Sequence, residues 1–407
     1  CASAWLLLAS PPVERREVII VGGGPAGAAT ALFLIRHDPT LADRILLLEK
    51  ARHPRVKVCA GGLIPHTLDC LDELGVGLTV PHVMVDRVRV EVPADRVELE
   101  GARFCAVVRR DEFDASLIVA TRARGVEVRE DEKVLGLERV AGGVQVTTTR
   151  GAYVARLVVG ADGSGSLVRR RLFAGGAQRD EVARAVMADI PVAAGSWDGH
   201  ARARYDFDFR AVPRGLAGYA WAFPCLIDGQ PYVNAGVYGW RRRPGVDLVA
   251  LLRELQGELG GATVRHQAAP IRCFGRAPFV APHVLLVGDA AGVEPLMGEG
   301  ISFAIEYGRW AATEIADALA RDDFAFAGAE QRFRRNWVGR KLRRLEQAAT
   351  LFYGRGARLW LALAARWPGA QEVGIRWYNG VDGWDRRSGW EALRTAVRRP
   401  PARAVGS

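Results

Sequence analysis

Gly22, Gly24 and Gly27 stand in GxGxxG spacing, with Pro25 and Ala26 between them and the acid Glu49 further along the chain. Glycines so spaced let a backbone turn close against a pyrophosphate, and a helix opening at Pro25 aims its positive end at the phosphates. A carboxylate at Glu49, followed by Lys50, can accept hydrogen bonds from a ribose diol and would repel a 2′-phosphate. The chemistry implied is dinucleotide binding; the alternative is a glycine-rich turn that holds nothing.

The elements that must position these residues are legible. Val18 to Val21 is a β-branched run suited to a strand buried on both faces, and Ile45 to Leu48 is a second apolar run ending at Glu49. The small residues Ala26, Ala28 and Ala29 let the intervening helix pack close to the sheet, completing a βαβ unit. Further on, the pattern predicts a helix over 65–74 and half-buried strands over 83–99. A helix follows over 111–124, with Asp111 as N-cap and Gly125 as stop. A hairpin turns at Gly142–Gly143, and a strand over 157–160 runs into Ala161-Asp162-Gly163-Ser164-Gly165-Ser166. Short aromatic-rich strands over 181–273 surround a helix over 247–259. A buried strand over 285–287 and a long helix over 301–320 come next, and the remainder reads as helical.

Two further segments narrow the dinucleotide to FAD. Asp162 and Gly163 follow one strand. Gly288-Asp289 closes another, where a carboxylate can bind ribityl hydroxyls. Pro295, Gly298 and Gly300 then form a backbone loop that a flat ring can approach, and the helix from Ile301 points its positive end there, worth about 1 kcal/mol to an anionic reduced ring. Each segment alone could be an ordinary strand-terminal turn. Their order and spacing together point to FAD.

Composition sets outer limits. The 407 residues are about half apolar, enough for two intimately joined domains or one large one with a sizeable core. Six scattered cysteines contain no CxxC pair, which argues against zinc knuckles and thioredoxin-like chemistry; reduced thiols in a cytoplasmic protein are the simplest reading, with no metal expected. Cys1 suggests a trimmed start, and the apolar run Trp5–Ala9 is too short to span a bilayer. The net charge of +10 is concentrated in residues 331–407, where 17 basic and five acidic residues give about +12. No nucleic-acid recognition fold accompanies that charge, so nucleic acid is not an expected partner.

The three segments resemble the flavoprotein family with a p-hydroxybenzoate-hydroxylase-like fold, over roughly residues 18–320. Arg110-Asp111-Glu112-Phe113-Asp114 matches the family's RxxFD pattern, whose arginine contacts FAD, with Arg109 the neighbouring candidate. Two motifs resemble geranylgeranyl reductases: Lys57-Val58-Cys59-Ala60-Gly61-Gly62-Leu63, and the YxWxFP pattern of Gly218-Tyr219-Ala220-Trp221-Ala222-Phe223-Pro224. The resemblance places both beside the isoalloxazine and a polyprenyl tunnel, with Lys57, Ala60 and Gly61 near the cofactor and Cys59, Tyr219, Trp221 and Phe223 at the reaction site. Period-two alternation agrees, since Tyr219, Trp221 and Phe223 share one strand face, although an ordinary sheet core would need the same stripe. The glycines flanking Cys59 suggest close approach to something flat. Ala60 departs from the glycine that many reductases carry.

The expected architecture is therefore α/β. A Rossmann-type FAD-binding domain comprises 17–180, with substrate-side loops at 51–110, and 278–330. An antiparallel-sheet substrate domain of α+β type is inserted at 181–277, and a basic helical region covers 331–407. The expected activity is FAD-dependent reduction of carbon–carbon double bonds in an isoprenoid or other lipophilic substrate. The alternative is an oxygen-using aromatic monooxygenase or halogenase, although halogenases carry WxWxIP at the aromatic strand. A flavin-free prenyl-binding escort would lack the intact glycine set and Asp289. No second GxGxxG marks a nicotinamide site, so the external electron donor, nicotinamide or ferredoxin-like, stays open. In the tail, Leu342, Leu345, Leu351 and Phe352 can share one helical face flanked by Arg340, Lys341, Arg343 and Arg344. That face suits peripheral contact with an anionic membrane, or helices covering the substrate domain.

Overall fold

The structure, a computed structural model, describes residues 13–379, apart from position 94 and the segments 174–181, 193–196, 242–243 and 261–263, together with 391 and 394. Cys1 and the Trp5–Ala9 run lie outside the described residues.

β1 (Glu14–Val21) leads through Gly22 into α1 (Pro25–His37), and β2 (Ile45–Leu48) follows. β3 (Gly62–Leu63), α2 (Pro65–Glu73), β4 (His82–Val92) and β5 (Asp95–Val108) precede α3 (Arg110–Ala123). Then come β6 (Glu127–Arg129), the hairpin β7 (Val134–Val140) and β8 (Gly143–Thr148), β9 (Ala152–Gly160) and α4 (Leu167–Leu172). The aromatic-rich stretch forms β10 (Val182–Pro191), β11 (Arg204–Asp208), β12 (Gly218–Ile227), β13 (Gln230–Gly239), α5 (Leu248–Glu258) and β14 (Gln267–Arg272). β15 (Val280–Ala281), β16 (Val284–Leu286) and α6 (Ile301–Arg321) return the chain to the first sheet. α7 (Ala329–Arg335), α8 (Trp337–Phe352), α9 (Ala357–Arg366) and α10 (Pro368–Asn379) complete it.

The first sheet runs β15-β16-β9-β1-β2-β6, parallel from β16 to β6, with β7 and β8 attached beside β9. Val18–Val21, Ile45–Leu48, Leu157–Val159 and Val284–Leu286 at its centre are buried apolar runs, as strands covered on both faces require. α1 is buried from Pro25 to Ile35 and lies against α6. The crossing is close: a Cβ on Gly308 would stand 2.7 Å from the Thr30 amide nitrogen and 2.8 Å from the Ala29 Cβ.

The second sheet runs β14-β10-β13-β12-β11-β4-β5-β3. The segment 51–110 is thus more than loops, since it supplies three strands to this sheet. Joining them makes β11–β4 a parallel pair in an otherwise antiparallel sheet. One face carries Val88, Tyr205, Tyr219, Trp221, Phe223 and Tyr238. The opposite face carries Ala220, Ala222, Ala235 and Val237 under Leu252, Leu255 and Leu259 of α5 or its C-cap.

Two local expectations need correction. α3 begins one residue early, with Arg109 at the N-cap position, and Asp111 falls in the first turn, where an acid still complements the helix dipole. In α8, Leu342 and Leu345 are fully buried while Leu351 is exposed, and Lys341 is buried, its Nζ donating to the Tyr378 carbonyl at 3.0 Å. The apolar face of α8 therefore packs inward, and Lys341 does not flank a surface.

Candidate active site

The register of the first sheet levels its strand ends. Val21 pairs with Leu48 and with Gly160, and Gly160 pairs with Leu286. Glu49, Gly22, Asp162 and Asp289 therefore lie along one carboxyl edge, the place where open α/β sheets take ligands. Gly22 has φ +115°, and a Cβ there would stand 2.3 Å from the Ala161 carbonyl oxygen; one on Gly27 would stand 2.0 Å from the Gly22 oxygen. Only glycine fits either place. No side chain caps the N-terminus of α1, so its first amides face the edge unclaimed by protein side chains.

All the sequence-predicted site residues except Gly27, Gly288 and Pro295 border one cavity of about 1230 Å³. The three exceptions support it from behind. Gly27 backs the Gly22 turn, Gly288 packs on Ala26, and the Pro295 carbonyl accepts the Tyr238 hydroxyl at 2.8 Å. The volume exceeds the roughly 300–1,000 Å³ of a single small-molecule site.

At the polar end, Glu49 accepts the Gly23 amide at 2.8 Å and the Ala51 amide at 3.1 Å, with Arg55 3.6 Å away. Arg110 makes a paired contact with Asp114, at 2.8 and 3.1 Å, and both are buried. Arg109 instead points to Asp189 at 2.7 Å and does not border the cavity, so Arg110 is the arginine of the pair that does. Asp162 accepts the Leu167 and Val168 amides through Oδ2, while its buried Oδ1 has no protein partner. Burial holds its carboxyl above the usual range. Asp289 accepts the Ser164 hydroxyl at 3.0 Å. Side-chain-free backbone at Gly24, Gly163 and Gly165 borders the same space, with no atom within 4 Å of an added Cβ at the latter two.

The loop from Gly292 to Gly300 is held in a way sequence reading missed. Hydroxyls of Tyr307, Tyr238 and Tyr353 donate to the carbonyls of Gly292, Pro295 and Leu296 at 3.0, 2.8 and 2.7 Å, and Tyr219 donates to Met297. Glu294, fully buried, gathers the amides of Leu296, Met297 and Glu299 and the Tyr378 hydroxyl. Burial pushes its carboxyl up to about 7 against the pull of those amides. The only advance signal was an acid inside an apolar stretch. Glu299 accepts the Ser302 amide at 2.8 Å, so the positive end of α6 already holds a carboxylate, which the dipole expectation did not include.

At the apolar end, Tyr219, Trp221 and Phe223 do share the cavity face, joined by Phe207 and Phe209. Trp221 donates its indole N–H to Asn234 at 2.8 Å, Asn234 donates to Asp189 at 2.8 Å, and Asp189 holds Arg109. Cys59 is half-buried in the cavity wall, its sulfur accepting the Gly61 amide at 3.4 Å and lying within reach of Arg110. The glycines beside it border the cavity and also pack closely on protein: a Cβ on Gly61 would meet the Val108 oxygen at 2.0 Å, and one on Gly62 the Cys105 sulfur at 3.1 Å. His66, Cys70 and Glu306 converge below α2, but Arg309 lies 3.3 Å from Glu306 and 3.4 Å from Cys70, supplying the positive charge there. His82 bonds the Val80 carbonyl.

The chain is 29% identical over 320 residues to a menaquinone reductase of Mycobacterium tuberculosis, covering 73% of this chain and 76% of that one. It is 28% identical over 315 residues to a digeranylgeranylglycerophospholipid reductase of Methanopyrus kandleri, covering 72% and 79%. Its fold is similar to a geranylgeranyl bacteriochlorophyll reductase-like protein from Thermoplasma acidophilum, with a TM-score of 0.67 at 21% identity over 89% of this chain and 99% of that one. It is also similar to a flavin-dependent brominase, with a TM-score of 0.72 at 18% identity over 94% and 98%. Residues 15–323 match the FAD binding domain family, and the chain belongs to that family of flavoproteins.

Proposed function

We propose that the protein is an FAD-dependent reductase of carbon–carbon double bonds in an isoprenoid or similarly lipophilic molecule. The observation that carries this reading is the single cavity joining the glycine-and-carboxylate edge to a wall of Tyr205, Phe207, Phe209, Tyr219 and Phe223. Two relatives named for reducing menaquinone and a digeranylgeranylglycerophospholipid support it.

The residues present fit FAD. The Gly22–Gly24 turn and the uncapped α1 amides at Ala26 and Gly27, behind Pro25, would take the pyrophosphate. Glu49 would take the ribose, with Lys50 beside it, and Asp289 would take the ribityl chain. The orphaned Asp162 oxygen and the open backbone at Gly163 complete the cradle with Arg110. Lys57, Ala60 and Gly61 would close one side, and Gly298, Gly300 and Ile301 would lie beside the ring, in a loop held by the Tyr238 hydroxyl on the Pro295 carbonyl and backed by Gly288 against Ala26. Bound and reduced, FAD would supply the hydride, and the matching proton would come from a solvent-linked donor or a nearby acid. The chain's own work is orientation and exclusion of water: Tyr219, Trp221 and Phe223 hold an apolar chain, and Cys59 narrows the passage beside Arg110. The reducing equivalents come from an external donor, nicotinamide or ferredoxin-like, and the lipophilic substrate favours peripheral membrane contact through the basic C-terminal helices.

The test is anaerobic incubation of photoreduced holoprotein with a geranylgeranyl lipid. The reading predicts product masses raised by the hydrogen pairs added to double bonds. An unchanged mass overturns it, and an aerobic gain of oxygen or halogen indicates the monooxygenase or halogenase alternative.

A further inference from the structure

The helix that roofs the apolar cavity has two unlike sides. Leu361 and Ala365 of α9 border the cavity with Phe352 at the end of α8, and Ala357 is buried in line with them. These positions recur every four residues, one helical face. The opposite face carries Leu359, 61% exposed, and beside it Trp360, 37% exposed, with Leu351 56% exposed at the end of α8. Arg355, Arg358 and Arg366 are exposed around them, and Arg340 and Arg343 lie on the exposed side of α8. Between Trp337 and Gln371 the sequence holds one acid, Glu346. No helix among the described residues is long and apolar enough to cross a membrane.

From this we infer that the α8–α9 corner is a docking face for the surface of an anionic lipid bilayer, through which a lipid tail passes under α9 into the cavity. The inference rests on the reading that the cavity takes a lipophilic chain. Large apolar side chains ringed by arginines suit the headgroup boundary, where the apolar tips enter the acyl region and the guanidiniums meet phosphates. An acidic protein would find the same charge but would leave Leu351 and Leu359 no acyl layer to enter. The inner side of α9, through Leu361 and Ala365, borders the cavity that the aromatic wall lines. The inner side of the corner reaches the loop beside the FAD cradle through the Tyr353 hydroxyl on the Leu296 carbonyl, so the docked face and the reaction site share one rigid connection.

FAD-loaded full-length protein is sedimented with phosphatidylcholine vesicles, with and without phosphatidylglycerol. The wild type is expected to pellet with the anionic vesicles, and high salt to weaken that binding. L359D/W360D is expected to lower partitioning by about tenfold or more. R355E/R358E is expected to lower it by about tenfold or more on anionic vesicles and little on neutral ones. Both variants should keep bound FAD and wild-type turnover of detergent-dissolved lipid while losing turnover of vesicle-embedded lipid. Wild-type protein that stays in the supernatant, or variants that pellet as the wild type does, would overturn the docking face. So would binding only to an acidic protein or to a second copy of the chain. Vesicle binding without reduction of any geranylgeranyl lipid would instead overturn the reductase reading and leave the docking face standing.

Discussion

Glu49 has two duties that its position at the β2 tip makes inseparable. Its Oε2 fixes the amide of Gly23 inside the glycine turn, and the same carboxylate borders the cavity. Glu49→Ala should therefore weaken FAD binding by about tenfold to a hundredfold, since removing a partner of a buried amide costs roughly 1–3 kcal/mol; quenching of flavin fluorescence on titration measures it. Glu294 gives a pH signature. Its carboxyl is raised by burial to about 7, above the ordinary carboxyl range, so its contribution to stability is complete below about 4.5 and is lost as pH rises through 7. The unfolding free-energy difference between wild type and Glu294→Gln, from denaturant titration, should then shift in favour of the variant between pH 5 and pH 8, by up to a few kcal/mol. A difference that stays constant, or moves in favour of the wild type, would contradict it. Cys105, Cys225 and Cys273 are pushed up to about 12 by burial, which makes them poor nucleophiles at neutral pH.

At the scale of elements, local pattern and tertiary packing agree where the chain is most constrained. The strand over 45–48, the helix start at Pro25 and the hairpin at Gly142–Gly143 were readable because each has its own local cause: apolar runs, a proline at the first helical position, a glycine turn. The glycine at 308 carried no such meaning in sequence. In the structure it is the contact point of α1 and α6, and Gly308→Leu should overpack that crossing and destabilise by roughly 1–3 kcal/mol or more, seen as a melting temperature several degrees lower. The tyrosine-held loop was equally silent, because a hydroxyl on a distant carbonyl leaves no periodic trace. Tyr353→Phe should leave the fold intact, cost about 0.5–1.5 kcal/mol and loosen the Leu296 region, measured as faster amide exchange there.

The whole molecule is two sheets sharing one cavity, and what could not be read locally is how remote segments close it. Nothing in 82–108 announces that it pairs with β11, since strand partners are chosen by long-range packing. The tail shows the same limit. Interleaved apolar and basic residues left open whether α8 faces a membrane or covers the substrate domain; Leu342, Leu345 and Lys341 turn inward, while the exposed apolar side chains are Leu351 at its end and Leu359 and Trp360 one helix later. The cofactor edge was legible because its glycines and acids each need one backbone place. The roof over the apolar wall was legible only as one of two readings, helices covering the substrate domain or a membrane face, because any amphipathic helix reads alike.

The central claim is that the FAD cradle and the aromatic wall are one continuous space. The most direct measurement is titration of the oxidised holoprotein with a geranylgeranyl lipid while recording the flavin absorption band, in the wild type and in Ala365→Trp, whose new ring would fill the apolar end. A saturable shift of the band in the wild type, lost in the variant while FAD stays bound, is the predicted result. Lipid that binds both proteins equally without moving the band would contradict it.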